Sequence, residues 1–236
     1  MGWGTAIDAL TPLDLGAVCL FLLLWLGVSP IIENPPASRP STSKLMSEYR
    51  RLWMQEFVKR DPRIFDSQIV SSLRQGTAFF ASASMIAIGG GLALLGNADR
   101  LRGVAQDLTS SADPVVVWEL KLILMLVIAA NAFLKFVWSH RLFGYCSILM
   151  AAVPVDANDP FAQPRAKKAA EINITAAKAY NRGLRSVYFG IASAAWLAGA
   201  IPLIIATIFA LLVIVRREFT SFSRTVLLED TDRTPS

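Results

Sequence analysis

The sequence predicts an all-α fold: an integral membrane bundle of four transmembrane helices with helical cytoplasmic extensions. Three observations carry that expectation. Apolar stretches at 13–32, 77–95, 115–137 and 187–215 each have about the 20 residues that a helix needs to cross ~30 Å of hydrocarbon. Hydrophobic residues make up 54% of the chain and charged residues only 17%, which leaves too few charges to coat a water-soluble domain of this length. The basic residues also collect in segments that flank the apolar stretches, as they do on the cytoplasmic side of membrane proteins.

Taken in order, residues 1–12 form a short external N-terminus. The first apolar stretch lacks the basic leader of a secretory signal and has Asp8 before it, so it is expected to stay as a span. Cys19 lies inside this span and Cys146 beyond the third, at different depths, so both are expected to be free thiols.

The connection 33–68 opens with an irregular Pro- and Ser-rich link at 34–43. After it, Leu45, Tyr49, Leu52, Trp53 and Phe57 recur at helical spacing, opposite Glu48, Arg51, Gln55 and Lys59. Such a helix suits the plane of the membrane interface, and equally suits docking on the protein's own cytoplasmic helices. Asp61 followed by Pro62 is a helix-start signal that places the beginning of the second membrane helix in the cytoplasm.

On that second helix, steps of about 100° per residue put Ser71, Gln75, Ala78, Ser82, Gly89, Ala93 and Gly96 on one stripe of small residues, the kind that lets helices approach closely. Gly183, Ser186, Gly190 and Ala194 of the fourth helix make a matching stripe. The expectation is that Ser82, Gly89, Gly183 and Gly190 pack these two helices together. The third helix carries Lys121, Asn131 and Lys135 on a single arc, a candidate polar intramembrane face.

The connection 139–186 contains a second helix start, at Asp159-Pro160 or at Gln163-Pro164. It opens an Ala-rich helix through Lys167, Lys168, Glu171 and Lys178 that is expected to run into the fourth span. Asn173-Ile174-Thr175 matches a glycosylation acceptor but falls on the cytoplasmic side and is set aside. As one helix the stretch 187–215 would be about 43 Å long, and Pro202 after Gly199 is expected to kink it. A re-entrant hairpin around 200–202 is the competing reading. Residues 216–236 form a flexible tail.

Orientation follows from counting basic residues. The segment 33–68 carries Arg39, Lys44, Arg50, Arg51, Lys59, Arg60 and Arg63, and the segment 139–186 carries Arg141, Arg165, Lys167, Lys168, Lys178, Arg182 and Arg185. Against these fourteen stand six, Arg100 and Arg102 after the second span and Arg216, Arg217, Arg224 and Arg233 in the tail. Both connections are therefore expected in the cytoplasm and both termini outside, with the basic tail discordant. The re-entrant alternative would return the tail to the cytoplasm.

Arg74, Arg141 and Arg185 come near the cytoplasmic edge from three spans, so they are candidates for binding an anion such as a lipid headgroup. The single histidine, His140, rules out a multi-histidine metal or bis-histidine haem site within one chain. No nucleophile, acid or base stands at a spacing that reads as catalysis, so the expectations are no catalytic, cofactor or metal residue and no nucleic-acid partner. Membrane lipids, and other subunits of a membrane complex, are the partners that fit. The functional expectation is a non-catalytic helical subunit or scaffold, with a small transporter or channel using the third helix as the alternative.

Phe79-Phe80-Ala81-Ser82 with Gly89, Phe136-Val137-Trp138-Ser139 with Arg141 and Tyr145, and Asn181-Arg182-Gly183-Leu184-Arg185 with Tyr188-Phe189 and Trp196 form a distinctive combination. Together they resemble the bacterial multi-pass membrane family catalogued as domain of unknown function family 599. The resemblance runs from the first helix to the fourth. It implies a class of membrane protein and assigns no catalytic or binding residue.

Overall fold

A computed structural model describes residues 10–98, 103 and 114–229. Among them the order is α1 (Pro12–Glu33), α2 (Thr42–Val58), α3 (Ile64–Leu95), α4 (Val115–Ala151), α5 (Ala162–Ala194), a 3-10 turn (Ala195–Ala198), α6 (Ala200–Phe219) and α7 (Phe222–Leu228), with no strand among the described residues. Helices Pro12–Glu33, Ile64–Leu95 and Val115–Ala151 and the segment Ala200–Leu228 are long and apolar enough to cross a membrane. The chain forms two compact units. One holds the described residues of Met1–Val28, Ala81–Leu134 and Gly183–Leu212, the other those of Ser29–Phe80, Lys135–Arg182 and Val213–Ser236.

Local chemistry fixes the helix ends. Thr11 and Asp14 cap α1 reciprocally: the Asp14 amide donates to Thr11 Oγ1 at 3.1 Å and the Thr11 amide to Asp14 Oδ2 at 3.3 Å, with Pro12 at the first helical position. Ser41 caps α2 by accepting from the Lys44 amide at 3.2 Å, while its hydroxyl donates to Ile32 O at 2.7 Å. The Asp61–Pro62 peptide is cis and α3 starts at Ile64, just past the expected start signal. Helix α5 starts at Ala162, after a turn in which the Asp159 side chain accepts from the Phe161 amide at 2.7 Å and its carbonyl from the Ala162 amide at 2.9 Å, so both start signals lie within three residues of the observed start.

The first unit is built from parts of α1, α3, α4, α5 and α6. Phe21 of α1 and Phe189 of α5 meet edge to face with centroids 5.6 Å apart, and Ala17, Trp118, Leu122, Ile128 and Leu203 of this unit are also buried. The second unit has its own core. Met54, Phe57 and Val58 of α2 pack on Val70, Leu142, Phe143, Cys146 and Met150, and on the alanines Ala162, Ala166, Ala169 and Ala170 that let α5 come close. Helix α2 is thus docked on the protein's own helices, which decides between the two readings left open for it. Leu52 points outward instead, 51% exposed.

The stretch 187–215 is not one kinked span. Helix α5 ends at Ala194, a 3-10 turn follows, and Gly199 adopts φ 119° and ψ 176°, a region essentially closed to side-chain-bearing residues, before α6 starts at Ala200. Pro202 sits in the first turn of α6, where a missing amide donor costs nothing, so it helps begin a helix rather than kink one.

The tail also differs from expectation. The described part of 213–229 shares a unit with both basic connections. Thr42 Oγ1 donates to Glu218 O at 3.1 Å, Ser43 donates from its amide and hydroxyl to the Glu218 carboxylate at 3.0 and 2.8 Å, and Arg224 Nε donates to Pro40 O at 2.8 Å. This segment therefore packs against the start of α2 and the link before it. The cause is the break at Gly199, which lets the chain leave the first unit again after Leu212. Asp8, Arg100, Arg102 and Arg233 lie outside the described residues.

Candidate functional site

In the first unit, partly buried polar groups tie three helices together. Trp25 Nε1 of α1 donates to Ser186 Oγ of α5 at 3.3 Å, and that hydroxyl donates to Asn131 Oδ1 of α4 at 3.1 Å. Asn131, expected on a polar face, therefore has a helix-joining role, as amides at membrane depth commonly do. Trp196 Nε1 donates to Asp14 Oδ1 at 2.8 Å and Thr11 Oγ1 to Asp14 Oδ2 at 2.6 Å, so both carboxylate oxygens are engaged.

Lys121, 2% exposed, lies within electrostatic reach of Asp14 and holds its ammonium 4.9 Å from the Trp118 ring centroid, a cation–π contact. The buried Trp118 Nε1 has no acceptor among the described residues. Lys135, the third member of the expected polar face, is half-buried and belongs to the second unit.

The three arginines expected to converge belong to two units. Arg185 is buried in the first unit, whereas Arg74 and Arg141 are exposed in the second, each with its own neighbour. An Arg74 nitrogen is 3.4 Å from His140 Nε2, while His140 Nδ1 lies 3.3 Å from Arg74 O and 3.2 Å from Thr77 Oγ1. Arg141 donates to Tyr145 Oη from NH2 at 2.7 Å and from Nε at 3.2 Å, one turn on.

The small-residue faces are also placed differently. Ser82 and Gly89 of α3 are exposed, and a Cβ at Gly89 would meet nothing within 4 Å. The side of α3 that packs carries Val70, Thr77, Ser84 and Gly91 at intervals of seven residues, and a Cβ on Gly91 would stand 2.7 Å from Leu126 Cδ2 of α4. Gly183 is buried, and a Cβ on Gly190 would be 3.5 Å from Ile128 Cγ2. The small face of α5 meets α4 and α1 through Ile128, Asn131 and Trp25, while Tyr180, three residues before Gly183, lies against Gly76 and Phe80 of α3. Facing helices offer large residues with which small ones interdigitate, and spacing within one helix does not say which neighbour supplies them.

Two clusters of the second unit escaped the sequence reading. Asp66, fully buried, accepts from Trp53 Nε1 and Arg60 NH1 through Oδ1, both at 2.6 Å, while Oδ2 has no donor among the described residues. Arg50 donates to Asn173 Oδ1, and Asn173 Nδ2 donates to Cys146 Sγ at 3.4 Å. Burial lowers the Arg50 guanidinium from its ordinary range, although arginine keeps its charge. Asn173 is fully buried, so the glycosylation motif is not presented. The available signal was the arginine repeat of α2, Arg50 and Arg51, which points one cation inward and the other out to Glu171 at 2.7 Å.

Among the described residues no group of three His, Cys, Asp or Glu could hold a metal ion. The polar groups described here mainly pair with one another and fasten helices. No curated protein and no solved structure matches the chain. One family model does match, described as a protein of unknown function, DUF599, and it covers residues 16–223. That range takes in α1 to α6, both units and the sequence combination that suggested the resemblance, so the chain belongs to the DUF599 family.

Proposed function

We propose that this protein is a non-catalytic helical subunit of a larger assembly in a bacterial inner membrane. The observation that supports this most is the open face of α3. Its most apolar window is only 6% buried, against 22–28% for the other three candidate spans, and Ser82, Gly89, Ala93 and Gly96 stand exposed along one side. A helix that faces only lipid has no need of a small-residue stripe, whereas a helix that receives another helix does. The engaged hydrogen bonds of Asn131 and Asp14 favour fastening over a wet path for solute.

The tail contacts also bear on orientation. If 216–236 lies with the two connections, the basic residues divide eighteen against Arg100 and Arg102, and the discord in the count disappears. In this reading the N-terminus is periplasmic, and the connections and tail are cytoplasmic.

Gentle purification from native membrane tests the subunit reading. A stoichiometric partner should accompany the wild type and be lost from Gly89→Leu. Recovery of the wild type alone, with ion or solute flux after reconstitution, would transfer the assignment to transport.

A further inference from the structure

We propose that α7, with the end of α6, forms an anchor for an anionic bilayer surface: acidic phospholipid headgroups at Arg39, Arg216 and Arg217, and acyl chains against Phe222 and Val226. The inference rests on the membrane reading of α6 and is independent of any protein partner. Helix α7 follows α6 after only Thr220 and Ser221, so it cannot lie far from the end of that apolar helix. Ser221 caps it, accepting from the Arg224 amide at 3.2 Å.

Steps of about 100° put Phe222 and Val226 within roughly 40° of each other and Arg224 on the opposite side. That opposite side is the tethered one, with Arg224 Nε bonded to Pro40 O at 2.8 Å. Phe222 and Val226 consequently face away from this attachment. Phe222 is 83% exposed, the highest value for any large apolar side chain among the described residues, and Val226 is 47% exposed. In water such a face is a liability, and at a headgroup boundary it is an anchor.

Charge selects the occupant. The one acid between 200 and 228 is Glu218, and its carboxylate is turned onto Ser43 at the start of α2. Arg216 and Arg217 are exposed at the end of α6, and exposed Arg39 adds a third cation with its guanidinium 5.7 Å from the Phe219 ring centroid. Glu229 closes α7 and subtracts one charge, and in the sequence Asp230 and Asp232 follow it before Arg233. Three arginines beside an unburied Phe and Val match anionic lipid better than a zwitterionic surface.

The test places a small environment-sensitive fluorophore on Val226→Cys in a Cys19→Ser background, since Cys146 is buried. The protein is reconstituted in phosphatidylcholine vesicles with and without phosphatidylglycerol, doped with brominated lipid as a quencher. A blue-shifted, quenched label is expected when phosphatidylglycerol is present, reversed by high salt. Each Arg→Gln change at 216 or 217 should lower the docking equilibrium roughly fivefold. If the arginine variants do not fold, the salt reversal on otherwise unaltered protein probes the same charges. A label that reports water at both compositions overturns the proposal. So does a shift that follows the protein-to-lipid ratio rather than phosphatidylglycerol, because it would assign the face to another copy of the chain.

Discussion

A methyl group added at position 91 would stand 2.7 Å from Leu126 Cδ2 and 3.3 Å from its Cγ, whereas one added at position 89 would touch nothing. Two glycines two residues apart on one helix are thus opposite in consequence. Gly91→Leu should destabilise the detergent-solubilised protein by about 1–3 kcal/mol through overpacking. Gly89→Leu should leave thermal unfolding of the isolated chain within about 0.5 kcal/mol of wild type while weakening assembly. Equal loss of stability in both would refute the packing of α3 given above.

A second residue-scale prediction concerns Glu171, whose carboxyl is held below its ordinary range chiefly by the hydrogen bond from Arg51. A lowered value in the folded state means that the pair stabilises above the ordinary carboxylate range and fades as pH falls through the folded value. Both side chains are nearly half exposed, so the contribution is about 0.2–1 kcal/mol. Glu171→Gln should accordingly cost that little near neutrality and nothing in acid. A gap between the unfolding curves that persists at low pH would exclude the ion pair as its cause.

At the scale of elements, the decisive feature is the join between α5 and α6. A length criterion alone reads 187–215 as a single span, because every residue from Trp196 to Leu203 apart from Gly199 and Pro202 is apolar and no charge marks the break. Gly199 and Pro202 were visible as a pair, but a Gly followed by a Pro can kink a helix or separate two. The backbone decides: φ 119° with ψ 176° is essentially restricted to glycine. Gly199→Ala should cost about 1–3 kcal/mol from that strain, where Gly199→Ala in a continuous helix would instead stabilise by roughly 1 kcal/mol. The sign of the shift in melting temperature therefore discriminates a broken from a continuous helix. Helix identity was legible because apolar length and capping residues are local signals. Which faces meet was not, because Val70, Thr77, Ser84 and Gly91 and the opposite stripe through Ser82 and Gly89 are both small-rich, and only neighbouring helices distinguish them.

For the whole molecule, the distribution of contacts orders the chain more firmly than the charge count did. Helices α1, α3, α4, α5 and α6 each have residues in both compact units, so the chain passes between the units five times, and its described ends fall in different ones. The proposed orientation, with the N-terminus outside and the connections and tail inside, requires an odd number of membrane crossings. Labelling can test this with residues that the structure leaves accessible, which excludes the fully buried Ser41 and favours exposed Asn97, Ala157 and Ser223. With single cysteines at these positions in a Cys19→Ser background, a membrane-impermeant maleimide should modify Asn97→Cys in spheroplasts, while Ala157→Cys and Ser223→Cys should react only after permeabilisation. Reaction of Ala157→Cys and Ser223→Cys on opposite sides would restore an even number of crossings and detach the tail from the connection that holds it. Reaction of all three in reversed order would keep an odd number of crossings and invert the protein, against a basic imbalance of eighteen to two.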